Sequence, residues 1–593
     1  MPYAIIDRNS FAENNGTYPE RRVNNMVDNG LIYFARKGDG ETLSDKICMR
    51  PDKANRHGFI CGATGTGKSV TLKVLAESFS EIGVPVFMSD VKGDMAGIAV
   101  PGTDSEGMQK RLDRFDIRES FSYRGFPVSI FDIYAQNGTP LRTTVSEMGP
   151  MLFSQVLDLN DTQTELMQVI FKIADDLGLI LIDTKDMKAT LQYCADHSND
   201  FKMDYGLIPK QSTSAIIRAI VALESEGADI FFGEPAIDIR DLFLTAPDGR
   251  GIINILDAET LINKPRLYSA FMLYLLSELF EVLPEVGDPE KPKMVFFFDE
   301  AHLLFKNASK SLLEKIEQVV KLIRSKGVSI FFVTQSPGDI PGSVMSQLGN
   351  KIEHGLHAYT PAEQKALNAA ADAFRENPEF NTKELMQNLG TGEAVVSMLD
   401  EKGAPSVAEY AFILPPESRM GALTEDERRT AVDYSPLNNK YLVMVDNVSA
   451  YEVITGRVPG AAASGAGAYT APDGQVYGNT SGIPAAEPAA QPAADDGITI
   501  DYESVQPAAQ KRPKTAAAPA PEDDGRSTIG EIADNYLGKA GTRQVIRSTG
   551  STIGREIGKT IGEAVLGKKG RTIGGNIGSA IGRNLLGTLT GKK

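Results

Sequence analysis

The chain has few cysteines, no long apolar run and no excess of basic residues. Its three cysteines, Cys48, Cys61 and Cys194, lie far apart and form no CxxC pair. This spacing argues against a disulfide framework or a structural zinc site and favours reduced thiols in the cytoplasm. No stretch of about 18 apolar residues is present, so we expect no ordinary membrane span. The amino terminus lacks a basic start followed by an apolar segment, so we expect no signal peptide.

The size and charge of the chain limit which classes of protein it can belong to. The chain has 593 residues, of which 42% are apolar, so it can form a large core. Its formal net charge of −17 does not suit a protein that coats nucleic acid over its whole surface. A local basic channel is still compatible with that charge.

Up to about residue 455, short apolar runs alternate with helical patterns. Continuous apolar runs of this kind predict buried strands, which we place at residues 57–63, 84–90, 250–258, 293–302 and 327–336. The alternation of such strands with helices indicates an α/β fold with a mainly parallel sheet covered on both faces. A long helical pattern between two of these strands is interpreted as a helical insertion.

Residues 62–69 match the phosphate-binding motif G-x-x-x-x-G-K-[ST] in full. Its glycines let backbone N–H groups turn towards phosphate oxygens, and the following helix adds its positive end. Lys68 supplies a mobile charge for the β- and γ-phosphates, and Ser69 supplies a hydroxyl ligand for Mg²⁺. We therefore predict an ATP-binding P-loop formed by Gly62, Ala63, Thr64, Gly65, Thr66, Gly67, Lys68 and Ser69.

Asp299 and Glu300 end the apolar strand MVFFFDEAH. Ligands of open α/β sheets bind at this carboxyl edge, and two buried carboxylates are costly without a cation or water beside them. We predict that Asp299 belongs to the Mg²⁺ shell and that Glu300 aligns and deprotonates the attacking water. The alternative is a strand that simply reaches solvent at Asp299.

Polar residues follow two more of the predicted strands. Gln335 ends the strand of residues 327–336, where its amide would sense the γ-phosphate or hold the water. A surface glutamine is the alternative. Asp90 and Lys92 follow the strand of residues 84–90, where Asp90 would support the metal and Lys92 would touch phosphate or substrate. A plain polar loop explains the second pair equally well.

Arginines and histidines give weaker signals. Arg324, on the helix after the acidic strand, is a candidate for an arginine finger that completes a neighbouring subunit's site, and Arg419 is a second candidate. A helix-surface arginine is the default interpretation of Arg324. His302, His354 and His357 are not accompanied by other metal-ligand residues and are interpreted as surface or core histidines.

The chain resembles the HerA/FtsK branch of P-loop ATPases. The segments GATGTGKS, FFFDEAH and the strand ending in Gln335 carry this likeness. A narrower likeness, to a bacterial HerA-like helicase/ATPase group, rests on residues 141–163, 231–242, 415–428 and 435–454 and covers nearly all of residues 20–455.

This resemblance implies a RecA-like P-loop NTPase core and the roles given above to the P-loop, Asp299, Glu300 and Gln335. It also implies a ring-shaped motor on DNA, with a hexameric homo-oligomer. About 55 residues precede the P-loop strand, too few for the full N-terminal barrel of HerA motors, which puts a nuclease partner in doubt.

The last part of the chain differs in composition from the body. A linker rich in Ala, Pro and Gly is expected to be disordered, and a basic tail follows it. From Arg543 onward the tail has ten Lys or Arg against two Glu, and its glycines recur every four residues. Such a tail suits an anionic membrane or nucleic acid surface, or self-association. A poorly ordered tail is the alternative.

The expected segments follow from these patterns. They are a short N-terminal segment (1–55), the P-loop half of the core (56–140), the helical insertion (141–245), the second half of the core (246–455), the disordered linker (456–526) and the glycine-zipper-like tail (527–593).

Two functional hypotheses remain open at this point. The first is a Mg²⁺-dependent, ring-forming ATPase that translocates or unwinds DNA, which the resemblance favours. The second is an ATP-dependent switch or scaffold that acts on protein or membrane partners, which the acidic body favours. Both place the protein in the cytoplasm, with the tail as a candidate attachment to the membrane.

Overall fold

A computed structural model describes residues 26–39, 42–306 and 310–457, together with two short strands, Ala468–Thr470 and Val476–Gly478. Most of the predicted linker and all of the predicted tail lie outside the described residues.

One mixed sheet organises the body. Its thirteen strands are β1 (Val27–Asp28), β2 (Leu31–Gly38), β3 (Leu43–Met49), β4 (Gly58–Cys61), β5 (Val86–Asp90), β6 (Val128–Asp132), β7 (Thr139–Pro140), β8 (Ile253–Asp257), β9 (Met294–Phe298), β10 (Val328–Thr334), β11 (Asn350–Glu353), β12 (Glu393–Ser397) and β13 (Glu409–Ile413).

The strands that the sequence predicted lie side by side in the parallel part of this sheet. That part has the order β11-β4-β10-β9-β5-β8-β6-β7. Beyond β11 the sheet continues through β12, β13 and β2 in antiparallel pairing, and β1 and β3 both pair with β2. The expected α/β fold with a mainly parallel sheet is therefore confirmed, and an antiparallel extension is added to it.

Eighteen helices accompany the sheet within the described residues. They are α1 (Pro51–Ala54), α2 (Lys68–Glu81), α3 (Glu106–Phe115), α4 (Val145–Val156), α5 (Asp161–Asp176), α6 (Thr184–Asp196), α7 (Ser198–Tyr205), α8 (Lys210–Glu224), α9 (Ala228–Phe231), α10 (Pro265–Val282), α11 (His302–Lys306), α12 (Lys310–Ile323), α13 (Gly342–Met345), α14 (Pro361–Asp372), α15 (Thr382–Asn388), α16 (Glu425–Asp433), α17 (Asn438–Tyr441) and α18 (Ala450–Thr455).

Phenylalanines of the central strands fill the core on both faces of the sheet. Successive side chains of a strand point to opposite faces. On one face, Phe297 of β9 and Phe331 of β10 stack with ring centroids 5.2 Å apart, and Phe79 of α2 lies against both. On the other face, Phe298 and Phe332 stack at 5.5 Å. All residues of β9 and β10 are buried, which explains their continuous apolar runs.

The segment predicted as a helical insertion lies between β7 and β8 and contains α4 to α9. Three of its helices, α4, α5 and α6, begin at a residue whose polar side chain caps the helix. In α5, for example, the Asn160 side chain accepts a hydrogen bond from Gln163 N, and the Gln163 side chain accepts one from Asn160 N. Within the part of the chain that the structure describes, no helix is both long and apolar enough to cross a bilayer.

Candidate nucleotide-hydrolysis site

The P-loop connects the end of β4 to the start of α2. Gly67 caps α2 with a φ of +116°, and Gly62 has a φ of +150°. A Cβ atom on Gly62 would lie 2.5 Å from the Cβ atom of His354, so a larger residue does not fit there. The Thr66 hydroxyl closes the loop by donating to the Ala63 carbonyl at 2.7 Å. The loop thus turns tightly into a helix N-terminus, where free N–H groups and the helix dipole attract phosphate.

Lys68 folds back over this loop. Its Nζ atom donates hydrogen bonds to the carbonyl oxygens of Gly62 at 2.6 Å and Ala63 at 2.9 Å. Burial lowers the pKa of Lys68, and the positive charge of Lys92 lowers it further. A phosphate bound in the loop would replace these two carbonyl oxygens as the partner of the ammonium group.

Residues at the end of β11 and at the start of β12 contact the P-loop and the first turns of α2. The Ala63 N–H donates to the Gly355 carbonyl at 2.8 Å. The buried His354 ring lies 2.8 Å from the Thr71 hydroxyl through Nε2 and 2.8 Å from the Glu393 carbonyl through Nδ1. Burial lowers the pKa of His354 to about 4, so the ring is neutral at neutral pH. These contacts join α2, β11 and β12 under the phosphate-binding turn.

Asp299 lies at the end of β9, almost completely buried. Its backbone N–H donates to the Ser89 hydroxyl at 3.2 Å, and its Oδ1 atom accepts from the Glu300 N–H at 2.9 Å. Its Oδ2 atom is buried and has no hydrogen-bond partner among the described residues. Burial raises the pKa of Asp299 to about 6. A buried carboxylate oxygen without a protein partner fits a hydrated divalent cation.

Glu300 has an unusual backbone conformation, with a φ of +49°. Non-glycine residues rarely adopt this left-handed conformation because it is strained. The few instances cluster at functional sites, where the surrounding structure holds the residue in place. Gln335, directly after β10, contacts the Glu300 carboxylate, with Nε2 donating to Oε1 at 3.0 Å and Oε2 at 3.2 Å. The Thr64 hydroxyl donates to Gln335 Oε1 at 3.2 Å. One amide thus links the tip of the P-loop to the acidic pair.

Two cationic or titratable groups complete the surroundings of Glu300. Lys92 Nζ lies 2.7 Å from Oε1, and His302 Nδ1 lies 3.3 Å from Oε2. Burial raises the pKa of Glu300, but the hydrogen bond and charge of Lys92 outweigh that effect and leave the pKa below its usual value. Glu300 is therefore ionised at neutral pH.

The structure brings most of the predicted site residues to one edge of the sheet. The P-loop, Asp299, Glu300 and Gln335 lie at the carboxyl ends of β4, β9 and β10, and Ser69 is in the first turn of α2. The Asp90 carboxylate, at the same edge, accepts hydrogen bonds from the N–H groups of Met95 and Ala96 and so shapes its own loop.

Among the described contacts, neither candidate arginine touches a residue of this site. Arg324 precedes β10 and forms an ion pair with Asp288 at 3.3 Å. Strand β10, with seven residues, lies between Arg324 and Gln335 and spans about 23 Å at the usual rise of a strand. Arg419 pairs with Glu427 at 2.7 Å. An arginine finger from Arg324 thus depends on a neighbouring copy and stays a prediction.

Sequence reasoning missed two neighbours of this site, His302 and His354, and did not predict the partner of a third, Lys92. It placed Lys92 near phosphate or substrate, with a plain polar loop as an equal alternative, and the structure pairs Lys92 with Glu300. It interpreted His302 and His354 as ordinary histidines, although each contacts the site. For His302 a local signal existed, because it lies only two residues after Glu300. Contacts of Lys92 and His354 join distant parts of the chain and leave no local pattern.

The sequence of the chain matches a known protein family. The family model described as "Helicase HerA-like C-terminal" matches residues 36–495. The DNA double-strand break repair helicase HerA of Sulfolobus acidocaldarius is 22% identical over 372 residues, covering 60% of this chain and 65% of that protein. The chain thus spans slightly less than two thirds of that relative's length.

The solved structures that resemble the chain are more distant from it in sequence. The plasmid coupling protein TrwB, in complex with a non-hydrolysable ATP analogue, has a TM-score of 0.43 and 18% identity, covering 66% of this chain and 95% of that one. VirB4 of Thermoanaerobacter pseudethanolicus has a TM-score of 0.40 and 16% identity, covering 68% of this chain and 99% of that one.

Proposed function

The chain belongs to the helicase HerA-like C-terminal family, and on that premise we propose that it is a Mg²⁺-dependent ATPase that moves along DNA as a ring of identical subunits. The observation that carries the proposal is the chain of contacts from Thr64 through Gln335 to Glu300. It joins the phosphate-binding loop to an ionised carboxylate at one edge of the sheet. The name of the HerA relative, a repair helicase, supports DNA as the substrate of the motor.

Binding of ATP rests on the P-loop. The N–H groups at the start of α2 receive the phosphates, and Lys68 exchanges the carbonyls of Gly62 and Ala63 for phosphate oxygens. Ser69 and Asp299 would hold Mg²⁺, for which the unpartnered Oδ2 atom of Asp299 is a suitable ligand. When bound, Mg²⁺ neutralises charge on the β- and γ-phosphates.

Hydrolysis rests on Glu300 and Gln335. The Glu300 carboxylate orients the attacking water and accepts its proton. Gln335 fixes that carboxylate through two hydrogen bonds and, through Thr64, relates its position to that of the P-loop. Because Thr64 lies at the exposed tip of the P-loop, this link would respond to whether a γ-phosphate is present.

The test is ATP hydrolysis measured with and without double-stranded DNA, together with displacement of a DNA-bound roadblock. A DNA-moving ATPase is stimulated by DNA and removes the roadblock only while ATP is hydrolysed. The Glu300→Gln variant, which keeps the size of the side chain, is the negative control. Hydrolysis that DNA does not change, with no displacement, would contradict the motor and favour a switch or scaffold.

Several parts of the proposal rest on the sequence and family alone. We place the protein in the cytoplasm, with residues 56–140 and 246–455 as the two halves of the ATPase core around the insertion. A hexamer in which Arg324 reaches a neighbour's site is part of the same proposal. The tail, residues 527–593, would contact an anionic membrane or other tails.

A further inference from the structure

Lys92 forms an ion pair with Glu300, the residue that the proposed function assigns as the base. Lys92 lies in the turn after β5, and β5 is the sheet neighbour of β9, which leads into Glu300. The next residue, Gly93, has a φ of +73°, and a Cβ atom there would lie 2.0 Å from Glu259 Oε1. The positive φ favours glycine at this position, and the turn places Lys92 Nζ 2.7 Å from Glu300 Oε1.

Contacts of this kind occupy the oxygens that a general base needs. A carboxylate has about four lone-pair positions. Gln335 donates to both oxygens of Glu300, Lys92 contacts Oε1, and His302 Nδ1 lies 3.3 Å from Oε2. Little capacity is left for the proton of a water molecule, which must come within hydrogen-bond distance of the base. As the structure stands, Glu300 is ionised but largely engaged.

The side chains of Lys92 and Glu300 differ in their exposure to solvent. The Glu300 side chain is 5% exposed, whereas that of Lys92 is 42% exposed. An ion pair with one partly exposed partner is weak, and a competing anion can reach that partner from solvent. Lys68, by contrast, is buried and lies over the P-loop, where it serves the nucleotide. The exposed ammonium is thus open to an anion other than the nucleotide.

We propose that Lys92 is a releasable restraint on Glu300, and that phosphodiester oxygens of nucleic acid draw its ammonium group away and so free the carboxylate for hydrolysis. This inference rests on the proposed function, because it names how the nucleic acid would control the same site. Lys92 acts through Glu300 and is a positioning residue. Hydrolysis without nucleic acid would then be slow because the base is engaged, and nucleic acid would speed it by removing a contact.

The experiment compares the full-length wild type with Lys92→Met and Lys92→Arg. Methionine removes the charge but keeps the length of the side chain, and arginine keeps the charge. The matched control is Lys46→Met, since Lys46 is 44% exposed and forms an ion pair with Asp28 at 3.1 Å, remote from the site. For each protein, kcat and KM for ATP are measured without DNA and with saturating double-stranded DNA.

Without DNA, the expected result is a kcat for Lys92→Met about twofold to fivefold above that of the wild type, the range that loss of a partly exposed ion pair allows. Its KM stays close to the wild-type value, and its stimulation by DNA falls by the same factor. Lys92→Arg keeps a lower basal kcat than Lys92→Met, and Lys46→Met behaves as the wild type.

A basal kcat for Lys92→Met at or below that of the wild type overturns the inference, for example because bound ATP itself displaces Lys92. If the wild type is then still stimulated by DNA, the proposed motor function stands without this restraint. A raised basal kcat in Lys92→Met with no stimulation of the wild type supports the restraint, and it overturns both nucleic acid as the releasing anion and the DNA motor.

Discussion

Replacing Glu300 with glutamine tests the assignment of the general base most directly. The substitution removes the charge and the basic oxygen but keeps the shape of the side chain. Because a positioned base contributes a factor of about 10² to 10⁴, turnover should fall by that factor. At about 1.4 kcal/mol for each factor of ten, the activation barrier rises by about 3 to 5 kcal/mol.

The surroundings of Glu300 indicate that the fold and ATP binding survive this change. Gln335 can still donate to the remaining amide oxygen of the variant. Lys92 loses its charged partner, but its side chain is 42% exposed and can turn to water. Such an ion pair is worth about 1 kcal/mol or less, so the free energy of unfolding should change little. The contacts of Lys68 with the P-loop do not involve residue 300.

The assay combines single-turnover hydrolysis, binding of a fluorescent ATP analogue and thermal unfolding. We expect Glu300→Gln to bind the analogue as the wild type does and to unfold at nearly the same temperature, while its turnover collapses. Glu401→Gln is the matched control, because the Glu401 side chain is 82% exposed and pairs only with Arg50 among the described ion pairs. Wild-type turnover in Glu300→Gln would refute the assignment of the base.

Three further predictions concern assembly, pH and the tail. If Arg324 completes a neighbour's site, mixing Arg324→Ala with Lys68→Ala subunits should restore part of the ATPase activity; no restoration, with a monomer by light scattering, would contradict the idea. Burial lowers the pKa of His57 to about 4 from an unfolded value of about 6.5, so stability present above pH 6.5 should be lost as the pH falls to about 4. Urea unfolding of His57→Asn, whose asparagine tolerates the φ of +57°, should show a weaker pH dependence, and an unchanged one would exclude His57 as a cause. A chain that ends at Arg457 should hydrolyse ATP at the full rate but no longer sediment with anionic liposomes, whereas loss of hydrolysis would place the tail in the ATPase machinery.

Much of the site could be predicted because its signals are local. The P-loop motif, the strand before it and the helix after it occupy one short stretch, and the structure has β4 at Gly58–Cys61 and α2 at Lys68–Glu81. The buried strands β9 and β10 were recognisable because both faces of a central parallel strand are covered, which requires continuous apolar runs. The polar residues that end these runs, Asp299 and Gln335, marked the carboxyl edge of the sheet.

The neighbours of each strand were decided only by the tertiary structure. An apolar run predicts a strand, but the partner of that strand depends on how distant apolar faces pack, for which the run contains no signal. The order β10-β9-β5 brings Lys92 against Glu300, although the two are far apart in sequence. For the same reason the direction of α12, which leads from the carboxyl edge back to the amino edge, carries Arg324 away from its own P-loop. The chemistry of the site could thus be predicted from local residue patterns. The contacts that would control this chemistry arise from long-range packing.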